Sequence, residues 1–248
     1  MNQPMKTFTK LLFFTLISIY SCNSKRPEGS GWINLFNGQN LDGWVVECKP
    51  EDKVKGFWTV QDGMILVNSL GMKDHDYVWL TTPKEYTDFI LKLKFAAFKD
   101  SPGNSGVQVR SRYDHDSLWL DGPQVDINPP GPWRTGMVWD ETRGNARWLY
   151  PDIPKGEWVN EEMRQKDFEF HYSTDEERVW NELEIRVEGL SIQAWLNGVQ
   201  ITDLTGEGIL NDAVHRKYNV GEKGFIALQL HVRDELMMYY KDIYIKEL

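Results

Sequence analysis

The sequence predicts an all-β fold, a sandwich of two antiparallel sheets, and three stretches carry that prediction. Residues 107–112 (VQVRSR), 124–128 (QVDIN) and 225–232 (FIALQLHV) alternate aliphatic and polar side chains in steps of two. Successive side chains of a strand point to opposite faces, so each stretch has an apolar and a polar side. The apolar side holds Val107, Val109, Val125, Ile127, Ile226, Leu228, Leu230 and Val232, a core face. Opposite stand Gln108, Arg110, Arg112, Gln124, Asp126, Asn128, Gln229 and His231. A solvated sheet face is usually a mixture of Lys, Glu and Thr. Amides, guanidinium groups, a carboxylate and an imidazole are instead groups that bind sugars and transfer protons. This polar face is the candidate working surface.

The other elements follow in order as short apolar or alternating runs: 58–60, 64–67, 77–80 and 89–95 before 107–112, then 183–187, 192–196 and 239–245 around the rest. Turn signals separate many of them, among them Asp62-Gly63, Pro102-Gly103-Asn104, Glu188-Gly189 and Asn197-Gly198. Many short strands punctuated by Gly, Asn and Asp read as an antiparallel sandwich or barrel. Residues 187–199 read as a hairpin, with 192–196 closed by the tight-turn pair Asn197-Gly198. No stretch of a dozen residues has helical periodicity. No repeat or linker divides residues 32–248, which are expected to form one domain.

The longest irregular stretch, residues 129–178, is rich in Trp, Pro and Gly. A loop of that length inside a compact domain is usually functional. It begins straight after 124–128 and is expected to fold over the polar face as a lid or rim. Trp133 or Trp148 would then stack on the apolar face of a sugar ring.

The N-terminus reads as an export signal. Lys6 and Lys10 precede the apolar run 11–19, and Ser21-Cys22 follows at once. The run is too short to span a bilayer. The cysteine at the cut suggests a bacterial lipoprotein signal, with Cys22 the lipidated first residue and 22–31 a flexible tether, placing the protein at the outer membrane. Only Cys48 would remain, so the fold must stand on its core without an internal disulfide. Losing residues 1–21 removes two lysines and no acid from a chain already at −9. So acidic a surface argues against nucleic acid and anionic lipid as partners and leaves the lipid as the membrane link.

Several motifs resemble one family. Leu35-Phe36-Asn37-Gly38 with Leu41-Asp42-Gly43-Trp44, then Trp58-Thr59-Val60-Gln61-Asp62-Gly63, then Asn104-Ser105-Gly106 with Arg110, resemble its successive blocks. So do Trp180-Asn181, Leu196-Asn197-Gly198 and the ending Ala227-Leu228-Gln229-Leu230-His231 through Lys241-Asp242-Ile243-Tyr244-Ile245. Together, over about Gly31 to Leu248, these are similar to the 3-keto-disaccharide hydrolases, also described as 3-keto-glucoside lyases and hydratases. The resemblance implies a concanavalin A-like jelly roll and cleavage of 3-keto-glycosides. One departure bears on the site. Many members resemble YEVQI where this chain has Pro123-Gln124-Val125-Asp126-Ile127. An acid displaced along a strand by one pleat repeat moves by roughly 6.6–6.8 Å.

Retaining glycosidases of this sandwich type present Glu-x-Asp-x-Glu on one strand, whereas this chain has Gln124-Val125-Asp126-Ile127-Asn128. Double displacement needs two carboxyls about 5–5.5 Å apart, which that strand cannot supply. A 3-keto sugar removes the requirement. Its ketone acidifies the hydrogen at C2, a base forms an enolate, and the C1 substituent leaves; water then adds back. Asp126 or His231 is the expected base, the other the proton donor or a metal ligand, and Arg110 the group for the enolate oxygen. Gln108, Gln124, Gln229 and Asn104 are expected to bind sugar hydroxyls. No cofactor is required. A divalent cation held by Asp126, His231 and a loop carboxylate is compatible with the sequence and would stabilise an enolate. Should the chemistry lie in 129–178, Asp140, Glu141 and His171 are the next candidates. The competing reading is a non-catalytic, lectin-like carbohydrate-binding lipoprotein, because the same sandwich serves both.

Overall fold

Residues 26–101 and 103–248 are described in a computed structural model of the chain. The expected leader, residues 1–21, and the lipidation site Cys22 lie outside them. In chain order the strands are β1 (Ile33–Asn34), β2 (Val45–Cys48), β3 (Trp58–Gln61), β4 (Met64–Asn68), β5 (Val78–Thr81), β6 (Phe89–Phe98), β7 (Ser105–Asp114), β8 (Trp119–Asp121) and β9 (Pro123–Ile127). They continue as β10 (Val138–Asp140), β11 (Arg147–Tyr150), β12 (Tyr172–Ser173), β13 (Asn181–Glu188), β14 (Ser191–Leu196), β15 (Val199–Thr205), β16 (Phe225–Leu230) and β17 (Met237–Glu247). Two short helices interrupt them, α1 (Pro50–Lys53) and α2 (Ala213–Tyr218).

The strands form the two sheets of an all-β jelly-roll sandwich. The first runs β15-β14-β13-β6-β17-β4-β3, with β1 beside β17 and β12 beside β6; the second runs β11-β10-β9-β7-β16-β5-β2, with β8 on β7. Pairing is antiparallel except between β12 and β6. The three stretches that predicted the fold become neighbours, β9-β7-β16, in the middle of the second sheet. Val107, Val109, Val125, Ile127, Ile226, Leu228 and Leu230 point inward against Leu91, Leu93, Ile185, Ile192 and Ile245 of the first sheet. Each such side chain contributes roughly 1.5–3 kcal/mol by leaving water. The inter-sheet core thus fixes which face of β7, β9 and β16 turns outward, since a slip of one residue would expose it.

Two expectations need correction. Residues 129–178 are not a free lid: β10 and β11 extend the second sheet beyond β9, and β12 adds to the first. The stretch escaped periodicity because β10 is three residues long and its outward Trp139 is apolar. The second correction is at Arg110. Its φ is +49°, and the β7–β16 register shifts there, Ser111 pairing with Phe225 but Gln108 with Ala227. The bulge breaks the two-residue alternation, so Arg110 leaves the polar face.

Candidate functional site

The outward face of β9, β7 and β16 carries a layer of polar side chains that are almost wholly buried. Gln108 and Gln229 are 0% exposed, Asp126 2%, Gln124 3% and Glu141 5%. Register places Gln124 opposite Gln108 and Asp126 opposite Gly106. Gly106 is required there, because a Cβ would lie 2.4 Å from Cδ of Gln124. Gln229 lies opposite Trp79 of β5. The amides link sideways: Gln108 Nε2 donates to Gln124 Oε1 (3.3 Å), and Gln124 Nε2 to Asp126 Oδ1 (3.4 Å). Gln108 Oε1, Gln229 Oε1, Trp79 Nε1 and Tyr113 OH have no protein partner. Buried groups of this kind are ordinarily hydrogen-bonded, and here the layer holds donors and acceptors that no protein group takes up.

Four ionisable groups, Asp126, Arg134, Glu141 and His231, meet on this layer. Asp126 accepts from Arg134 Nε at 2.7 Å and from Asn104 Nδ2 at 2.8 Å, so both carboxylate oxygens are engaged. Arg134 ends the 3-10 turn after β9 and lies 5.5 Å over Trp148 and 5.8 Å over Trp158. Glu141 follows β10. Gln229 Nε2 lies 3.4 Å from its Oε1, and its backbone is pinned by Gly122 O and by the Trp119 indole N–H. Burial pushes the Glu141 carboxyl up to about 7, against the opposing pull of Trp139, His231 and Gln229. His231 completes the group just beyond β16, its Nε2 3.1 Å from Tyr77 OH and its Nδ1 3.3 Å from Asp234. Burial pulls its imidazole down, but Asp234, Glu141 and Asp126 outweigh burial and hold it above the ordinary value. A carboxyl balanced near neutrality beside a histidine held towards its charged form is an arrangement for proton transfer.

The expected residues divide. Asp126, Gln124, Gln108, Gln229, Asn104 and His231 share the layer; Arg110 does not. Its Nε donates to Thr87 O (2.6 Å), its Nη1 to Gly221 O (3.1 Å) and to Gly189 O, and its Nη2 to Asp88 Oδ1 (2.7 Å). Thr87, Asp88 and Gly189 flank strands of the first sheet, so Arg110 clasps the two sheets together. Arg112 likewise pairs with Glu85. The cation of the site is Arg134, which periodicity could not find because it lies outside any strand. Trp148 is 2% exposed and packs with Met137 and Val159, which removes it as a platform. Trp133 packs partly against the same cluster, and the indole open to solvent there is Trp158, 60% exposed, 5.3 Å from Trp148 and 5.4 Å from Trp139. Of the candidates in 129–178, Glu141 is the one the fold brings to the layer.

Other acids and histidines have structural partners. His75 bridges the carbonyls of Asp76 and Asp234, and Asp114 pairs with Arg143. Asp140 points to the opposite side of β10 from Trp139 and meets His215. Cys48 is buried and its thiol is pushed up to about 11, chiefly by burial, as suits a passive residue. Among the described residues no group of three or more His, Cys, Asp or Glu side chains is placed to hold a metal ion.

Comparison with known proteins now bears on this geometry. A family model for the 3-keto-alpha-glucoside-1,2-lyase-like domain matches residues 31–246. The chain belongs to that family. The motif resemblance is thereby confirmed, and the lyase-like domain is a carbohydrate-active one. A candidate glycosyl hydrolase from Parabacteroides distasonis matches with a TM-score of 0.56 at 20% identity, over 88% of this chain and 94% of its own. A second from that organism gives 0.50 at 21% identity, over 88% and 99%. A Bacillus subtilis protein of unknown function with a galectin-like fold gives 0.52 at 11% identity, over 90% and 97%. At these identities the likeness is one of fold. No curated protein matches the sequence.

Proposed function

We propose that this lyase-like domain cleaves 3-keto-glycosides by proton abstraction at C2, with Glu141 as the base. The observation that carries the reading is Glu141 itself, a buried carboxyl pushed up to about 7 and set between Gln229 and the His231 imidazole. A base is most effective when its proton affinity lies near the working pH. Glu141 takes the C2 proton, and the C2–H electrons form the enolate of the C3 ketone. The guanidinium of Arg134 faces the developing enolate oxygen. As the carbonyl re-forms, the C1–O bond breaks, and His231, hydrogen-bonded to Tyr77, protonates the departing oxygen. Addition of water at C1 and return of the proton to C2 complete a net hydrolysis. Gln108, Gln124 and Gln229 supply donors and acceptors for the ring hydroxyls.

Asp126 changes role in this reading. With one oxygen on Arg134 and the other on Asn104, it orients the cation and is ill-suited to act as the base expected from the sequence. Attachment of the mature chain to the outer membrane through Cys22 remains part of the same proposal and would bring the site to sugars outside the cytoplasm. The test is a substrate comparison. Purified protein should turn over a 3-keto-disaccharide and leave the unoxidised disaccharide intact. Hydrolysis of the unoxidised sugar would replace the proposal with an ordinary glycosidase. Binding of either sugar without turnover would replace it with a lectin.

A further inference from the structure

Behind the face that carries Glu141 lies a charged trio, Asp140 and His215 buried and Asp212 half-buried, that the proposed chemistry does not use. His215 of α2 is 0% exposed, with Nε2 3.2 Å from Asp140 Oδ2 and Nδ1 2.9 Å from Asp212 Oδ1. Asp212 caps α2 by accepting from the backbone N–H groups of Val214 and His215, both at 2.8 Å. Its other oxygen accepts from Asn145 Nδ2 at 2.8 Å. Asp140 Oδ1 accepts from the backbone N–H of Thr142 at 3.0 Å. Arg143 places its guanidinium 4.5 Å over the Tyr218 ring at the end of α2. Asp140, Thr142, Arg143 and Asn145 all belong to the β10–β11 hairpin, the hairpin that presents Glu141. Helix α2 therefore grips that turn at three points and has its only fully buried side chain at the middle one.

Such a trio needs a reason. Buried ion pairs are seldom worth more to stability than apolar side chains of the same shape, because desolvation offsets the attraction. The β10–β11 turn could have been packed onto α2 by aliphatic residues at lower cost. We infer that His215 is a positioning residue for Glu141: clasped between Asp140 and Asp212, it fixes the turn that carries Glu141 and offsets the Asp140 charge beside it. The inference rests on the reading of Glu141 as the proton carrier.

The electrostatics follow from adjacency. Burial lowers the affinity of His215 for a proton, but Asp140 and Asp212 outweigh burial and hold it above the ordinary value, towards the cation. Asp140 acts on Glu141 in the direction that raises it, and His231 in the direction that lowers it. The groups whose charge reaches Glu141 are thus Asp140, its chain neighbour on the opposite side, His231 from the end of β16, and Tyr77 before β5, which feels the Glu141 charge in turn. Those facing His215 are Asp140 and Asp212, while Arg143 is committed to Asp114 and Asp121. Removing the His215 charge exposes Glu141 to an uncompensated Asp140; removing the Asp140 charge leaves behind it an imidazole paired with Asp212 alone. The two losses act on Glu141 with opposite signs.

That opposition is the test. In full-length protein labelled with carbon-13 glutamate, the Glu141 carboxyl signal, assigned by its loss in Glu141→Gln, is titrated in His215→Gln, Asp140→Asn and the double variant. The midpoint should rise by about half a unit in His215→Gln and fall by about as much in Asp140→Asn, a charge at one remove being weaker than a direct partner. The double variant should return within ~0.3 unit of the parent. This readout needs no substrate, so it stands whether or not the keto-sugar reading does. Shifts of the same sign, or none in either single variant, would overturn the inference. If a single variant fails to fold, the double variant decides: a midpoint more than about half a unit from the parent overturns it.

Discussion

The two sheets wear their polar residues differently on their outer faces. On the first sheet Lys92 pairs with Glu184 at 2.9 Å and Lys94 with Glu182 at 3.0 Å, cross-strand partners in register, with side chains 32–67% exposed. On the second the same pleat presents Gln108, Gln124, Asp126 and Gln229 at 0–3% exposure. Both faces obey the two-residue alternation; what differs is what lies over them. The turns holding Arg134, Glu141 and His231, with Trp119 of β8, close over the second face and desolvate it. Glu141 in that layer is pushed up to about 7 by burial, while the charges of the first sheet remain in water. Polarity marks the pleat, and burial marks the site.

The largest effect expected from that contrast is at Glu141. Glu141→Gln should cut turnover of the keto sugar by about 10²-fold or more. The same change should stabilise the fold. A carboxyl raised to about 7 in the folded protein from the 4.5 of a free glutamate binds its proton more tightly when folded, so stability falls as pH rises from 4.5 through 7. The penalty at pH 8 is on the order of a few kcal/mol. Urea unfolding at pH 8 should show Glu141→Gln more stable than the parent, and equal or lower stability would remove the desolvated carboxyl from the account.

Arg110 comes next and separates clasp from site. Arg110→Ala strips donors from three backbone carbonyls and from Asp88, and should cost about 2–3 kcal/mol in denaturant unfolding. Turnover per folded molecule should stay within about 2-fold, since a group outside the site owes the transition state nothing. A loss of kcat/KM larger than that in fully folded protein would return Arg110 to the working face.

Smaller still is the pH response of the trio around His215. His215 is held above the ordinary histidine value, so its contribution is complete below about 6.5 and is lost as pH rises through the raised value. Asp212 is lowered to about 2, by His215 and Asn145 against burial, so its share is present above the ordinary carboxyl value and lost as pH falls towards 2. In the Glu141→Gln background, stability should therefore be flat from about 4 to 6.5 and decline on both sides. His215→Gln added to it should remove the alkaline decline. The smallest effect belongs to the first sheet: Lys92→Ala should cost under ~1 kcal/mol and leave activity untouched.

Much of this was legible in the residues. Alternation alone located β7, β9 and β16, made them neighbours and put Gln108, Gln124, Asp126, Gln229 and His231 on one side, because inward aliphatics leave a strand one choice of face. It failed where the backbone departs from the repeat. A positive φ at Arg110 is invisible in VQVRSR, and its bulge moved the residue chosen as the oxyanion group. Arg134 was hidden, and Glu141 came only second, for another reason: they lie in the turns after β9 and β10 and reach the layer through turn geometry, which no spacing encodes. Trp148 misled in a third way, since an aromatic in a long segment between strands reads as a platform until packing shows what covers it. The sign that could have raised Glu141 earlier is the sequence Val138-Trp139-Asp140-Glu141, two acids in succession behind an apolar pair, of which a strand would bury at least one.

The central claim is that the buried face of the second sheet moves a proton at C2 through Glu141. Incubation of a 3-keto-disaccharide with the protein in deuterated water, corrected for spontaneous exchange, tests it most directly. The account predicts deuterium at C2 of the released sugar with the parent protein, and incorporation about 10²-fold slower or less with Glu141→Gln. Cleavage without deuterium at C2, or undiminished incorporation in Glu141→Gln, would contradict it.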